Sequence, residues 1–187
     1  MPFPVIAPIR TARLLIRPIV ASDLADLMAV NGDPHTTRYL PYAHWQSLDD
    51  AAAWLKRMDA LAAAGTAQQY VLERASDTKV VGTMLLFKFD EGSARVELGY
   101  VLGHSHWRQG LMREAIQAMC VHTFAAGVRR IEAEVNPLNE ASCALLSQIG
   151  FVYEGTLRRR WVTKGVAHDT RVFGLLADDD VTPTLPA

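Results

Sequence analysis

The chain is short of several things, and each shortage removes a class of function. Its 187 residues include only two cysteines. Both, Cys120 and Cys143, fall inside predicted helices, where they suit small core residues in a reducing compartment better than a disulfide. No CxxC pair or HExxH occurs, and the six histidines do not gather at ligand spacing on one predicted helix, so no metal is implied. Net charge is −1 and the pI about 6.6, which leaves no global field to hold nucleic acid or an anionic membrane. No apolar run approaches the roughly 20 residues of a membrane helix. The opening MPFPVIAPIR lacks the basic start and long apolar run of a signal peptide. These absences predict a cytoplasmic protein without membrane or nucleic-acid partners. There is no internal repeat and no Pro-, Gly- or Ser-rich linker, and the length fits one domain.

Hydrophobic residues make up 50% of the chain, enough for a substantial core. Residues 13–20 (RLLIRPIV) read as a first strand, an edge strand because Pro18 cannot donate a ladder bond. Ser22 is expected to cap a helix with Leu24, Leu27 and Met28 on its apolar stripe, ending near Asn31 and Gly32. Residues 33–46 form a long loop rich in large side chains (Tyr39, Leu40, Tyr42, Trp45), which either lines a substrate pocket or folds down as a lid on the core. Ser47 and Asp50 then open an alanine-rich helix that Gly65 ends. Residues 68–73 and 79–89 make a hairpin around ASDT, and DEGS leads into a third strand.

That third strand, with the turn and helix after it, is the most informative stretch. Over residues 96–102 the apolar Val96, Leu98, Tyr100 and Leu102 alternate with Glu97, Gly99 and Val101, so Glu97 and Gly99 share a face. Residues 103–106 form a loop, and from Leu111 the spacing of Leu111, Ala115, Met119 and His122 gives a helix. Between them lies WRQGLMR. A helix start carries unpartnered N–H groups and the positive end of the dipole, which suits a phosphate; Gly110 permits close approach, and Arg108 and Arg113 add charge. A glycine for the turn and arginines for solubility would account for the same residues. After Gly127 come a strand over residues 130–135, a helix opened by Asn139 with Ala141, Leu145, Leu146 and Ile149 buried, and a stop at Gly150. Residues 151–157 and 169–176 pair around Lys164-Gly165, and the tail 178–187 is expected to be disordered. The order βααβββαβαββ describes an α/β (α+β) fold, a mixed, mostly antiparallel sheet flanked by helices.

TARLLIRPIVASDL, VVGTMLLF, ELGYVLGHSHWRQG and an NxxNxxS segment followed by GFxxEG, taken in that order over about residues 11–177, resemble the GNAT superfamily of acyl-CoA N-acyltransferases, in particular its ribosomal-protein N-terminal acetyltransferase branch. Residues 1–10 would be an irregular lead-in to that domain. The resemblance implies acetyl-CoA as cosubstrate, with its pantetheine arm on the backbone of Tyr100, Val101 and Leu102. Its pyrophosphate would lie on Arg108, Gln109, Gly110, Leu111, Met112 and Arg113, with Asn139 and Ser142 near the thioester. The turn departs from the family pattern: Trp107 stands at its first position, Met112 at its last, and Arg108 where a glycine is frequent. The position at which many members carry a tyrosine acid is Leu146.

The chemistry adds its own demands. An amine must be neutral to attack a thioester, and an α-amino group of pKa about 7.7 to 8.0 is largely protonated at neutral pH, so a base is needed. Glu97, on an interior strand where desolvation raises a carboxyl pKa, is the candidate base; otherwise it is paired with an arginine or exposed at the sheet edge. His104 and His106 are rivals. Ser142, in the first turn of a helix, offers a hydroxyl to the leaving thiolate, unless it only satisfies local backbone groups. Asn139 could be simply an N-cap. Cys143 has no histidine placed near it, which disfavours a thiol nucleophile. Arg158, Arg159 and Arg160 read as a solvated face or as a grip on an acidic peptide or the coenzyme's adenosine phosphate. The expected activity is N-acetyl transfer to a primary amine by direct attack in a ternary complex, most readily a protein or peptide N-terminus. The alternatives are a small-molecule amine such as an antibiotic or polyamine, and a binding module that holds acyl-CoA without turnover. The amine acceptor and the oligomeric state, a homodimer included, are left open.

Overall fold

The computed structural model describes residues 2–179. One eight-stranded sheet runs through it in the order β1-β2-β3-β4-β5-β6-β8-β7. The strands are β1 (Ile9–Arg10), β2 (Leu14–Pro18), β3 (Ala67–Arg74), β4 (Val80–Asp90), β5 (Arg95–Leu102), β6 (Arg130–Val135), β7 (Val152–Thr163) and β8 (Val166–Leu176). The helices are α1 (Leu24–Asn31), α2 (Leu48–Ala63), α3 (Leu111–Ala125) and α4 (Glu140–Ile149). Every strand pair is antiparallel except β5–β6. This is the mixed, mostly antiparallel sheet with flanking helices that the strand pattern predicts.

Period-two alternation divides the core between the two faces of the sheet. Leu14, Ile16, Leu72, Met84, Leu86, Val96, Leu98 and Ile131 pack with Leu111, Ala115, Ile116 and Met119 of α3 and Cys143, Leu146 and Ile149 of α4. On the other face, Val71 and Val80 pack with Leu27 and Val30 of α1 and Trp54, Leu55 and Met58 of α2. Both cysteines are buried and free, and among the described residues no helix is long and apolar enough to cross a membrane.

Several local expectations are corrected. Ser22 does not cap α1. Asp23 instead closes a single 3-10 turn, because its carboxylate meets both Nη atoms of Arg17 (2.8 and 2.7 Å) and the amide of Val20 (2.9 Å), and the α-helix begins one residue later. The lead-in is not wholly irregular: Ile9 and Arg10 pair with Ile16 and Leu15, so β2 is covered over part of its length. His122 is exposed and Ala141 lies outside the buried side of α4, where Cys143 takes its place. The closing strands are longer than the sequence suggests, since the pairing breaks between Leu157 and Trp161, where Arg159 has φ 49°, and a bulge erases the period on which the reading depends. Ala177, just before the tail, donates its amide to the Arg129 carbonyl, and within the tail Asp179 donates its own to the Leu176 carbonyl; residues 180–187 lie outside the described residues.

Other local expectations hold. Ser47 and Asp50 form a reciprocal capping box at α2. Lys164 and Gly165 both adopt left-handed backbone (φ 52° and 78°), as a tight two-residue hairpin turn requires. The loop 33–46 folds back on the core at one end, with Trp45 buried against Trp54 at a ring separation of 5.3 Å. Its other end meets the β7–β8 turn, where Lys164 Nζ donates to the carbonyls of Thr37 (3.0 Å) and Arg38 (3.3 Å).

Candidate active site

Parallel pairing of β5 with β6 stops early. Arg95, Val96 and Glu97 pair with Arg130, Ile131 and Glu132, and no further. Beyond that point β5 continues to Leu102 alongside β4 alone, and β6 continues to Val135 alongside β8 alone. The sheet therefore splits into a wedge, with one wall at residues 98–102 and the other at residues 133–135. Backbone groups on the inner edge of an unpaired strand need partners, which an extended ligand can supply. Tyr100, Val101 and Leu102 all lie on this wall, although the Leu102 carbonyl already accepts from Trp107 Nε1 at 2.7 Å.

At the open end of the wedge is the start of α3. Gly110 sits at its N-cap with φ 74°, and Arg108 two residues earlier has φ 60°. Left-handed backbone is what glycine accommodates, so the arginine at 108 carries a local cost of about 1–2 kcal/mol. The first helical backbone bond runs from Glu114 N to Gly110 O, leaving the N–H groups of Leu111, Met112 and Arg113 without intrahelical partners. The turn is braced from β2. Glu114 accepts from Thr11 Oγ1 (2.6 Å), Arg13 N (2.8 Å) and Arg13 Nε (2.7 Å), while Arg13 Nη1 donates to Gln109 O (2.7 Å). Burial pushes the Glu114 carboxyl up, but these hydrogen bonds outweigh it and hold the group below its ordinary value. A cavity of about 450 Å³ adjoins the turn, lined by Arg13, Arg74, Gln109 and Leu111 among others. Arg113 Nε is buried with no hydrogen-bond partner. Free amides, a dipole terminus, an orphaned guanidinium nitrogen and nearby arginines suit a phosphate.

Inside the wedge, α4 presents its first turn to β5. The Ser142 hydroxyl lies 2.6 Å from the Tyr100 hydroxyl, and Asn139 Oδ1 accepts from Ser142 N at 3.3 Å. Asn139 is thus an N-cap in fact. Burial raises the Tyr100 phenol well above its usual range, keeping it a hydrogen-bond donor at neutral pH. Leu146 is fully buried in the core, so the tyrosine hydroxyl of this site comes from β5 rather than from that position of α4. Spacing along one chain segment could not have paired residues 42 apart.

On the opposite face of the same strand is Glu97, only 7% exposed. It is not paired with an arginine. Lys88 Nζ donates to Glu97 Oε2 at 2.8 Å and lies 3.6 Å from Glu134 Oε1. Burial pushes the Glu97 carboxyl up, with Lys88 opposing. Glu134 also accepts from Trp161 Nε1 at 2.6 Å, and Arg160 lies 3.6 Å from it. Neighbouring Glu132 is engaged by Arg95 (2.7 Å) and Arg130 (2.8 Å). Of the arginine run, Arg160 reaches this face, whereas Arg159 bonds Asp169 through its backbone amide (2.8 Å). The rival histidines lie elsewhere: His104 stacks on His35 at 5.3 Å and donates its backbone amide to Thr36 Oγ1, and His106, its pKa lowered by burial, feels Arg74 and Asp77. Cys143 is buried within the α4 packing.

Of the residues gathered around the wedge, the sequence singles out Glu97, Ser142 and the turn, but not Lys88, Glu134, Trp161, Arg13 or the Tyr100 hydroxyl. Among the described residues no group of His, Cys, Asp and Glu could hold a metal ion.

Comparison with known proteins identifies the family and the fold. The family model described as an acetyltransferase (GNAT) domain matches residues 13–152. An uncharacterized N-acetyltransferase of Bacillus licheniformis, p20, is 31% identical over 89% of this chain and 94% of its own. The ribosomal-protein-serine acetyltransferase of Escherichia coli is 24% identical over 54% of this chain and 58% of its own. The fold is shared with Mycobacterium smegmatis RimJ, solved in complex with CoA-disulfide, at a TM-score of 0.81 and 24% identity, covering 92% of this chain and 87% of that one.

Proposed function

The chain belongs to the GNAT family and is an acetyl-CoA-dependent N-acetyltransferase, and from that premise we propose that it acetylates a primary amine by direct attack at the β5–β6 wedge, its acceptor being a peptide α-amino group. The observation that carries this reading is the end of β5–β6 pairing at Glu97. It opens the sheet between a buried carboxylate on one face and a Tyr100–Ser142 hydroxyl pair on the other.

In this reading the wedge wall at Tyr100, Val101 and Leu102 holds the pantetheine arm through backbone groups, and the α3 turn from Arg108 to Arg113 holds the pyrophosphate, with Arg13 as an added cation. The acyl carbon then lies between the two faces. Glu97 takes the proton from the ammonium, directly or through one water, and the amine lone pair adds to the thioester carbonyl. As the tetrahedral species collapses, the C–S bond breaks and the thiolate takes its proton from Ser142 Oγ, which Tyr100 holds by donating to it, while the second proton shed by the attacking nitrogen restores the Ser142 hydroxyl through water. The proton on Glu97 leaves to solvent. A raised carboxyl pKa serves this role because it brings the base nearer to the amine it must deprotonate. Asn139 acts on the site through the α4 cap that sets Ser142. No covalent enzyme intermediate is required, and the buried Cys143 has no role in it.

The peptide acceptor is supported by the relative that acts on a ribosomal-protein serine. A second acceptor class, polyamines and other cationic small molecules, is favoured by the carboxylates Glu97, Glu132 and Glu134 along one face of the wedge. The deciding experiment is thiol release from acetyl-CoA against a panel of N-terminal peptides, polyamines and aminoglycosides, with thermal protection by CoA followed in parallel. Release with peptides alone supports the proposal, release with polyamines or aminoglycosides alone replaces the acceptor, and CoA protection without release across the panel refutes turnover on these amines.

A further inference from the structure

Lys88, in direct contact with Glu97, is a charged side chain at the wedge whose chemistry the proposed reaction does not use. It stands at a break in β4–β5 pairing between Phe87 and Asp90, with φ 52°, and its side chain reaches across β5 toward β6. Its ammonium sits 2.8 Å from Glu97 Oε2 and 3.6 Å from Glu134 Oε1. It also lies 5.3 Å from the centre of the Phe87 ring and 5.1 Å from that of Trp161. Two carboxylates and two aromatic faces around one nitrogen are the ingredients of ammonium recognition. Trp161 is held in place by its indole bond to Glu134 at 2.6 Å, so the aromatic wall is fixed to the acidic one.

We propose that Glu97, Glu134, Phe87 and Trp161 form a subsite for the ammonium group of a cationic acceptor, and that Lys88 fills this subsite when no acceptor is present. The inference rests on the acetyl-transfer reading above and names the acceptor's chemical class: a primary alkylammonium, bound charged and then deprotonated in place. Lys88 suits a displaceable occupant. Its side chain is 42% exposed, so the ammonium can move into water as the acceptor's ammonium takes its place beside Glu97, which at 9% has no such exit. The acceptor must therefore compete with an intramolecular cation. That competition weakens binding of simple amines and favours acceptors with further contacts on the loop 33–46 or the β7–β8 turn, which Lys164 joins at the edge of this face.

The test titrates n-butylamine into CoA-saturated protein, with binding followed by ligand-observed NMR. Lys88→Met should bind n-butylamine about tenfold more tightly than the wild type, the size of one partly desolvated ammonium–ring contact. Lys88→Arg should stay as weak as the wild type, and adding Trp161→Leu to Lys88→Met should abolish the gain. Equal affinity in the wild type and Lys88→Met, or a gain that survives Trp161→Leu, overturns the subsite. Lys88→Gln repeats the measurement with a polar neutral side chain. Thermal protection by CoA, followed in each variant, reports the coenzyme site separately. Its persistence alongside unchanged amine binding refutes the subsite alone; its loss in the wild type refutes the acetyl-transfer reading beneath it.

Discussion

Replacing Glu97 by glutamine separates the catalytic from the structural duty of that carboxylate. The amide keeps the shape and cannot take a proton. A positioned general base contributes about 10²- to 10⁴-fold, so kcat at pH 7 should fall by at least about 10². The residual rate then depends on amine that is already neutral. For an α-amino group of pKa about 7.7–8.0, the neutral fraction rises from about one-tenth to one-sixth at pH 7 to about nine-tenths at pH 9, so the variant should gain about six- to tenfold over that range. An alkylamine with a pKa of about 10.4 would gain about a hundredfold, so the slope also reports the acceptor class. Stability moves differently. Burial raises the Glu97 pKa in the folded state, so the group's contribution is greatest below its unfolded pKa and is lost as pH rises through the folded value. At pH 7–8 the substitution relieves the burial of that charge, but it also removes the Lys88 pair, itself partly screened by solvent. The two changes oppose, and net stability should shift by about 1 kcal/mol or less. The assay is kcat from pH 6 to 10 at saturating acetyl-CoA, beside denaturant melts at pH 7.5. A rate within threefold of wild type at pH 7, or parallel pH profiles, would remove Glu97 from the reaction.

Three further expectations concern the other parts of the site. Ser142→Ala and Tyr100→Phe should each lower kcat by about 10- to 100-fold with little change in the KM for acetyl-CoA, because a proton donor to the thiolate acts in the transition state; a matching rise in KM would instead point to coenzyme binding. Gly110→Glu should weaken CoA affinity, measured by calorimetry, by at least about tenfold, since it adds negative charge at the α3 start and forces a side chain into left-handed backbone at φ 74°; unchanged affinity would put the pyrophosphate elsewhere. Glu114→Gln should cost about 1–2 kcal/mol at pH 7 by weakening charged bonds to Thr11 and Arg13. Because the folded pKa is depressed, that difference should be present above about pH 4.3, the ordinary glutamate value, and disappear as pH falls through the lower folded value; urea melts at pH 7 and pH 3 check it.

What the amino-acid order determines by itself is whatever depends on near neighbours. Alternation in VELGYVL places Glu97 on the face opposite Tyr100 before any packing is known, because successive side chains of a strand point to opposite sides. The capping pair Ser47 and Asp50, the Asn139 cap and the Lys164-Gly165 turn are likewise settled within four residues of chain. The glycine at 110 and the basic residues around it mark the α3 start from sequence, as helix-terminus chemistry is local. Where the local signal competes with a distant partner, the sequence misleads: Ser22 looks like a cap, but Asp23 is drawn to Arg17. The arginine run hides a bulge that Asp169 stabilises from the neighbouring strand. Tertiary structure alone decides the partners that complete the site. Ser142 meets Tyr100 because α4 docks on β5, and Glu97 meets Lys88 rather than an arginine because a bulge in β4 turns the lysine over β5. Arg13 reaches the α3 turn across 96 residues of chain, and Trp161 comes to the carboxylates only through the long β7–β8 hairpin. Side-chain type and period fix which face a residue occupies, whereas the register of non-local strands, set by the whole core, fixes what it meets there.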